Sequence, residues 1–324
     1  MKNNLLGYRV GALLYTPANK RSIADSIIHK KIETPYSLAL CLEDTINDTF
    51  VKEAEDILIE SFRTIYAARD TSSFFLPNIF IRVRRPDQIP ALYSRLGQSR
   101  SLLTGFIVPK FSPENADEYI IEIKKINDAS EQRLYMMPIL ESPAIIDLRT
   151  RYDVLYKLKD KLDSISEYIL NIRVGGNDLC HIFGYRRHAD ETIHDIKPIS
   201  HILCDIITVF GMDYIISGPV WEYFDGDDWK SGLENELKKD RLCGFVGKTA
   251  IHPRQIPVIN EAYQVSAQDF KDAAAILAWD TGNPSFVASN SSHQRMDEYK
   301  VHANWAREIQ MRAEAYGIRD SHTS

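Results

Sequence analysis

"ILNIRVGGNDLC" (residues 169–180) is an apolar run that breaks into two glycines and then an acid. Ile169, Leu170, Ile172 and Val174 suit a strand covered on both faces, as in a parallel sheet buried between helices. Gly175 and Gly176 let the backbone turn sharply or leave room for something beside it. Asp178 is then expected at the C-terminal end of a strand, where α/β folds place their chemistry. The competing reading of Asp178 is a turn or cap aspartate.

The same pattern recurs along the chain. Strand-length apolar runs appear at "YRVGALLYTP" (8–17), "SLALCLED" (37–44), "IFIRVR" (79–84), "GFIVPK" (105–110), "LYMMPILES" (134–142), "ILNIRVGGND" (169–178), "DYIISGPVW" (213–221) and "GFVGKTAIHP" (244–253). Between them lie segments such as 22–31, 52–68 and 116–126, whose apolar residues fall three and four apart, the spacing of one helix face. Eight strand-helix alternations predict an α/β fold, a (β/α)8 TIM barrel, with a doubly wound open sheet as the alternative. Residues 1–265 form the barrel in this reading. Residues 266–324 form a C-terminal helical extension around Trp279 and Trp305, covering either its own barrel or a neighbouring subunit.

Composition narrows the partners. The 324 residues are 44% hydrophobic and 26% charged, as in an ordinary globular protein. With a net charge of −6 and scattered basic residues, nucleic acid is not an expected partner. Cys41, Cys180, Cys204 and Cys243 show no C-x-x-C spacing and read as buried thiols of a reducing compartment. No stretch approaches the ~18 apolar residues of a membrane span, and the N-terminal apolar run is interrupted at Gly7 and Arg9. The expectation is a cytoplasmic protein with no membrane association.

The strand ends carry a pattern of their own: Glu43 and Asp44, Arg82 and Arg84, Lys110, Glu141, and Asp178. In a barrel they converge on the C-terminal mouth. So many acids are costly to desolvate unless they pair or bind an ion. A hard divalent cation resolves the cost, with Glu141 and Asp178 supplying two carboxylates of a Mg2+ octahedron and water and substrate oxygens supplying the rest.

The series "YTPANKR", "LCLEDTI", "IRVR", "VPKF", "PILESPAII", "GGNDL" and "GFVGKTAIHPRQI" resembles, in order and spacing, the citrate lyase β-subunit and malyl-CoA lyase family, also called the HpcH/HpaI aldolase or CitE-like family. The likeness covers roughly residues 8–262. It implies a phosphoenolpyruvate/pyruvate-type TIM barrel that uses Mg2+ to make or break a carbon-carbon bond by aldol or Claisen chemistry. The substrate would be a β-hydroxy acid or its acyl thioester, with a small carboxylate or keto acid, or an acyl-CoA, as partner molecule. By resemblance Glu141 and Asp178 fall on the metal ligands and Arg82 on the arginine that takes the substrate's carboxylate or keto oxygen. Glu43 and Asp44 fall on the acidic pair near the metal's waters. Arg82, Arg84 and Lys110 are the expected substrate-binding cations, and a planar guanidinium suits a carboxylate better than a mobile lysine.

Departures from the family pattern bear on the substrate. Asn177 stands where members have Glu, and Arg84 where they have Asn, which suggests a more anionic or differently shaped substrate than malyl-CoA. Members acting on CoA esters carry a C-terminal Met-x-Asp whose Asp serves a neighbouring subunit as base. Its nearest counterpart here is "QRMDEYKVHANWA" (294–306), with Asp297 or Glu298 as the acid, and that role implies a homo-oligomer. Glu43 or Asp44 is the alternative base. The competing functions are a non-catalytic metal- or keto-acid-binding barrel and a thioester hydrolase on the same site.

Plainer readings stand beside these. Glu141 before Ser142-Pro143 could be a helix-start acid, Glu43-Asp44 a cap, and Lys110 an ion-paired surface lysine. "DGDDWKSGLENE" (225–236) fails as a calcium loop at Trp229 and Lys230 and reads as a loop opening a helix. No dinucleotide fingerprint or zinc-type histidine pair occurs. Residues around 181–198, with Arg186 and Arg187, read as a mobile lid or a solvated loop.

Overall fold

Parallel strands form the centre of the computed structural model, which describes residues 4–282 and 284–319. They are β1 (Ala12–Pro17), β2 (Ser37–Cys41), β3 (Asn78–Arg82), β4 (Leu103–Val108), β5 (Tyr135–Leu140), β6 (Ile172–Val174), β7 (Ile216–Ser217) and β8 (Lys248–Ala250). The sheet order is β7-β6-β5-β4-β3-β2-β1-β8. A parallel bridge between Gly218 and Lys248, with Gly218 N–H donating to Gly247 at 3.0 Å, joins its two ends. The eight strands thus close into the barrel that the alternation predicts.

The period of two decides what each strand presents inward. Leu13, Ala39, Phe80, Ile107, Met137 and Ile139 fill the barrel axis, while Ile79, Ile81, Met136, Leu140, Ile172 and Val174 join the larger core under the helices. Arg82 follows Phe80 by two, Glu141 follows Ile139 by two, and Tyr15 follows Leu13 by two. All three therefore turn toward the axis at the C-terminal mouth.

The outer layer contains α1 (Leu5–Arg9), α2 (Ile23–Ile28), α3 (Val51–Ala68), α4 (Gln88–Leu96), α5 (Ala116–Asp128), α6 (Arg151–Asp163), α7 (Gly176–Phe183), α8 (Lys197–Phe210), α9 (Trp229–Cys243) and α10 (Gln255–Tyr263). On α3 the buried Ala54, Ile57, Leu58, Ser61, Phe62 and Ile65 follow helical spacing. Three differences from the sequence reading have local causes. Tyr8 and Arg9, assigned to the first strand run, are helical because Asn4 caps Leu6 and the buried Tyr8 packs with Ile215 and Val246. β6 and β7 are shorter than their apolar runs because pairing ends near Gly175 and Pro219. Cys204 is exposed on α8, whereas Cys41 and Cys180 are buried.

Residues 181–198 do not form a free lid. Arg187 is buried with its Nε 3.2 Å from Glu236, and the buried His194 places Nε2 2.8 Å from Asp240. Both acids lie on α9, so the segment is clamped to the barrel wall at Arg187 and His194, whereas residues 181–186 stay exposed and Arg186 reaches the cavity at the C-terminal mouth.

Beyond the barrel, α11 (Ala267–Leu277) and α12 (Tyr299–Tyr316) pack on each other through Val265, Ala273, Ile276, Ala306 and Ile309. Ile318–Arg319 adds a parallel pair to Val265–Ser266, and α12 lies against α1. Met311, Ala315 and Tyr316 cover Tyr8, Ile215 and Val246, which precede strands, so the tail closes the N-terminal end of its own barrel. No helix among the described residues is long and apolar enough to cross a membrane.

Candidate active site

Three strand ends, those of β2, β3 and β5, meet at Arg82. Its Nη2 lies 2.8 Å from Glu43 Oε2, 3.1 Å from Asp44 Oδ2 and 3.2 Å from Glu141 Oε1. Burial alone would lower the Arg82 pKa, but Tyr15, Glu141 and the other acids around it raise it. A permanently charged planar fork is thus fixed in the mouth.

Glu141 is only 3% exposed. Its Oε1 accepts hydrogen bonds from Arg82 and, at 3.0 Å, from the backbone N–H of Lys110. Lys110 reaches that position in the left-handed region, φ 48°, an uncommon conformation for a residue with a side chain. The same bend sends its Nζ to Glu43 Oε1 at 2.7 Å and Asp44 Oδ1 at 3.0 Å. Burial raises the Glu141 carboxyl to about 8, with the Asp178 charge adding and Arg82 opposing.

The two glycines now have separate explanations. A β-carbon on Gly175 would overlap the Glu141 carboxylate, and one on Gly176 would stand 2.7 Å from Pro219 Cβ. The chain must pass this close because Gly176 opens α7, which carries Asp178 in its first turn. Asp178 is accordingly a helix-start acid that also lines the mouth cavity, where the helix dipole favours its charge.

The acidic pair divides its charge. Burial pushes Glu43 up, helped by its hydrogen bond with Asp44. Burial also works against Asp44, but contacts with Glu43, Lys110 and Arg82 outweigh it and hold the carboxyl at about 2. A proton therefore favours Glu43, and the charge stays on Asp44.

A cavity of about 510 Å3 opens here, lined by Asp44, Arg82, Glu141, Asn177 and Asp178 among others. Arg84 lies elsewhere. Its guanidinium is held by Asp48 and by the carbonyls of Leu42, Glu43 and Ile46, beside a separate surface hollow. Lys110 and Glu43 support the cavity wall from behind. The cavity is also lined by Tyr15, Arg173 and Thr249, three polar groups that the sequence reading passed over. The available signal was a single arginine inside an otherwise apolar strand run.

The arrangement can hold a divalent cation. Glu141 and Asp178 face one cavity and Glu141 is raised partly by Asp178, so the site offers two carboxylates; among the described residues no group of three or more His, Cys, Asp or Glu is placed to hold a metal ion, here or elsewhere. Two carboxylates with open space suit Mg2+, which keeps several waters. The tail acids are remote from this cavity: among the described residues none after 265 lines it, and Asp297 is buried and Glu298 half-buried in a hairpin with 287–289.

Comparison with known proteins agrees with the architecture. Human mitochondrial citramalyl-CoA lyase is 26% identical over 187 residues, covering 56% of this chain and 52% of that protein, so the match spans about half of its length. The solved structure of Mycobacterium tuberculosis CitE in complex with magnesium, acetoacetate and coenzyme A superposes with TM-score 0.61 at 17% identity, covering 94% of this chain and 99% of that one. A citrate lyase from Burkholderia xenovorans superposes with TM-score 0.70 at 14% identity, over 97% and 94% of the two chains. At these identities the structural likeness establishes the fold. The model of a family described as C-C bond lyase of the TIM-barrel fold matches residues 4–318, and the chain belongs to that family.

Proposed function

We propose that the protein is a Mg2+-dependent carbon-carbon lyase acting on a β-hydroxy acid or its acyl thioester, by aldol or Claisen-type cleavage or condensation. The observation that carries this is the pairing of Glu141 and Asp178 with the guanidinium of Arg82 in one cavity at the C-terminal mouth. The relatives point the same way: one is named a citramalyl-CoA lyase, and one solved neighbour was captured with magnesium, acetoacetate and coenzyme A.

Glu141 and Asp178 would hold the metal, which supplies Lewis-acid polarisation of the carbonyl that cleavage creates. Arg82 grips the substrate carboxylate through its planar fork and balances its charge. Glu43 and Lys110 keep Arg82 and Asp44 in place, so the fork is set before substrate arrives. The hydroxyl proton needs an acceptor. Asp44 lines the cavity, but a carboxyl held at about 2 is a weak base. The alternative is a tail acid from a second copy, the half-buried Glu298 more readily than the buried Asp297, and it would make the working protein a homo-oligomer. Free thiols without disulfide partners fit a cytoplasmic setting.

The direct test is a panel of β-hydroxy acids and their CoA thioesters, followed by 2-keto acid release with and without Mg2+. Mg2+-dependent keto acid release is the expected result. Release of free CoA with no keto acid would make the protein a thioester hydrolase. Ligand binding without turnover of any panel member would make it a binding barrel.

A further inference from the structure

The buried cations of this protein come with acids, and Arg173 does not. Arg82, Arg151, Arg187 and Lys248 each have a carboxylate within 3.2 Å. Arg173 is 1% exposed, and among the described residues no carboxylate pairs with it. Its Nη2 donates to Thr249 Oγ1 at 2.7 Å, while Nε and Nη1 have no hydrogen-bond partner.

Its position explains what it waits for. Arg173 alternates with Ile172 and Val174, which face the helices, so it points to the barrel axis, opposite Ile139 on β5 and Ser217 on β7. It lines the same cavity as Arg82, Glu141 and Asp178. Tyr15 stands between the two arginines. The Arg82 guanidinium lies 5.9 Å from its ring centroid, and both arginines act on its phenol. Burial lowers the Arg173 pKa, with Tyr15 as the main group opposing that shift. An uncompensated buried cation is costly to a fold, and such costs persist where they serve a ligand.

We propose that Arg173 receives a second carboxylate of the substrate, separate from the group gripped by Arg82, so that the site selects dicarboxylic over monocarboxylic keto and hydroxy acids. This rests on the lyase reading for the other end of the ligand. Nη2 gives one hydrogen to Thr249 and keeps a second, which together with the unpartnered N–H beside it, on Nε or on Nη1, forms an edge that donates bidentately to a carboxylate. The extra cation that the sequence suggests at Arg84 is thereby found on β6 instead, facing the cavity.

The test uses two probes with the same 2-keto acid head, oxaloacetate and pyruvate, titrated calorimetrically into the full-length protein saturated with Mg2+. The wild type should prefer oxaloacetate by about tenfold or more, and Arg173→Met should lose that preference while keeping pyruvate and Mg2+ affinity within about twofold. Arg173→Lys, which keeps the charge without the fork, should retain only part of the preference. Melting of the ligand-free protein separates a binding role from a structural one. Arg173→Met should melt higher than wild type, because an unpaired buried charge is gone. A preference that survives in Arg173→Met and Arg173→Lys, or a lower melting temperature that marks the Thr249 contact as structural, overturns the proposal. If the Mg2+-loaded wild type binds neither keto acid, the lyase reading itself fails; if it binds pyruvate as well as oxaloacetate, only the assignment of Arg173 does.

Discussion

Glu141 is raised to about 8 by burial, so at pH 7 the metal-free protein holds a proton there that a metal must displace. Mg2+ binding at pH 7 should release close to one proton, seen as calorimetric heats that scale with the ionisation enthalpy of the buffer. Buffer-independent heats would show that Glu141 is already ionised, and if Glu141→Ala also kept its Mg2+ affinity they would remove Glu141 from the ligand set. The sign for stability follows from the same shift. Between the ordinary value of 4.5 and about 8 the folded chain holds more protons than the unfolded one, so the metal-free protein loses stability from this group as pH rises through that window. The two arginines of "IRVR" should separate clearly. Arg82→Lys should weaken keto acid binding by about tenfold or more, since only the planar fork pairs bidentately. Arg84→Lys should leave it nearly unchanged, because its partners are Asp48 and backbone carbonyls. Sequence order pointed to Glu141 and Arg82 because strand parity carries them to the axis, and to Asp178 because the turn at Gly175 and Gly176 starts α7 at the mouth. Parity fails for Arg84, since β3 ends at Arg82 and the chain turns away beyond it. Arg173 has no such signature, since it lies within β6 and not at its end.

The β6-α7 junction is the element on which the site depends. Gly175→Ala should displace the Glu141 carboxylate and weaken Mg2+ binding strongly while leaving most of the helical circular dichroism signal. Retained Mg2+ affinity would show that Glu141 can shift without loss of function. A second junction, between β8 and α9, supports the barrel rather than the site. Lys248 is fully buried, with Nζ 2.8 Å from Glu236 and 2.7 Å from Asp240, and the same acids hold Arg187 and His194. Lys248→Met leaves two buried acids short of a partner and should cost about 3–5 kcal/mol in denaturant unfolding. "GFVGKTAIHPRQI" was legible as a motif, but nothing in it tells that its lysine faces a helix instead of the mouth. That depends on Glu236 and Asp240 lying one turn apart on α9, a tertiary relation without a local signature. For the same reason the segment around Arg187 and His194 read as polar and mobile: its partners are distant in sequence.

The described residues join a barrel with a site at one end to a tail that closes the other. Because α12 covers Tyr8, Ile215 and Val246, removing it would expose core, and point changes are the cleaner probe of the base. Asp297→Asn and Glu298→Gln should leave Mg2+ affinity unchanged, and the one that removes turnover identifies the acceptor. Full turnover in both would move that role to Asp44 or Glu43. If the acceptor comes from a second copy, mixing the inactive tail variant with Asp178→Ala should restore activity, provided mixed oligomers form. The central claim is that Glu141 and Asp178 together hold Mg2+ at the barrel mouth. Calorimetric titration of Mg2+ into wild type, Glu141→Ala and Asp178→Ala tests it most directly. The account predicts binding in the wild type and none in either variant, with circular dichroism and melting showing both still folded. Unchanged Mg2+ affinity in the two variants would contradict it.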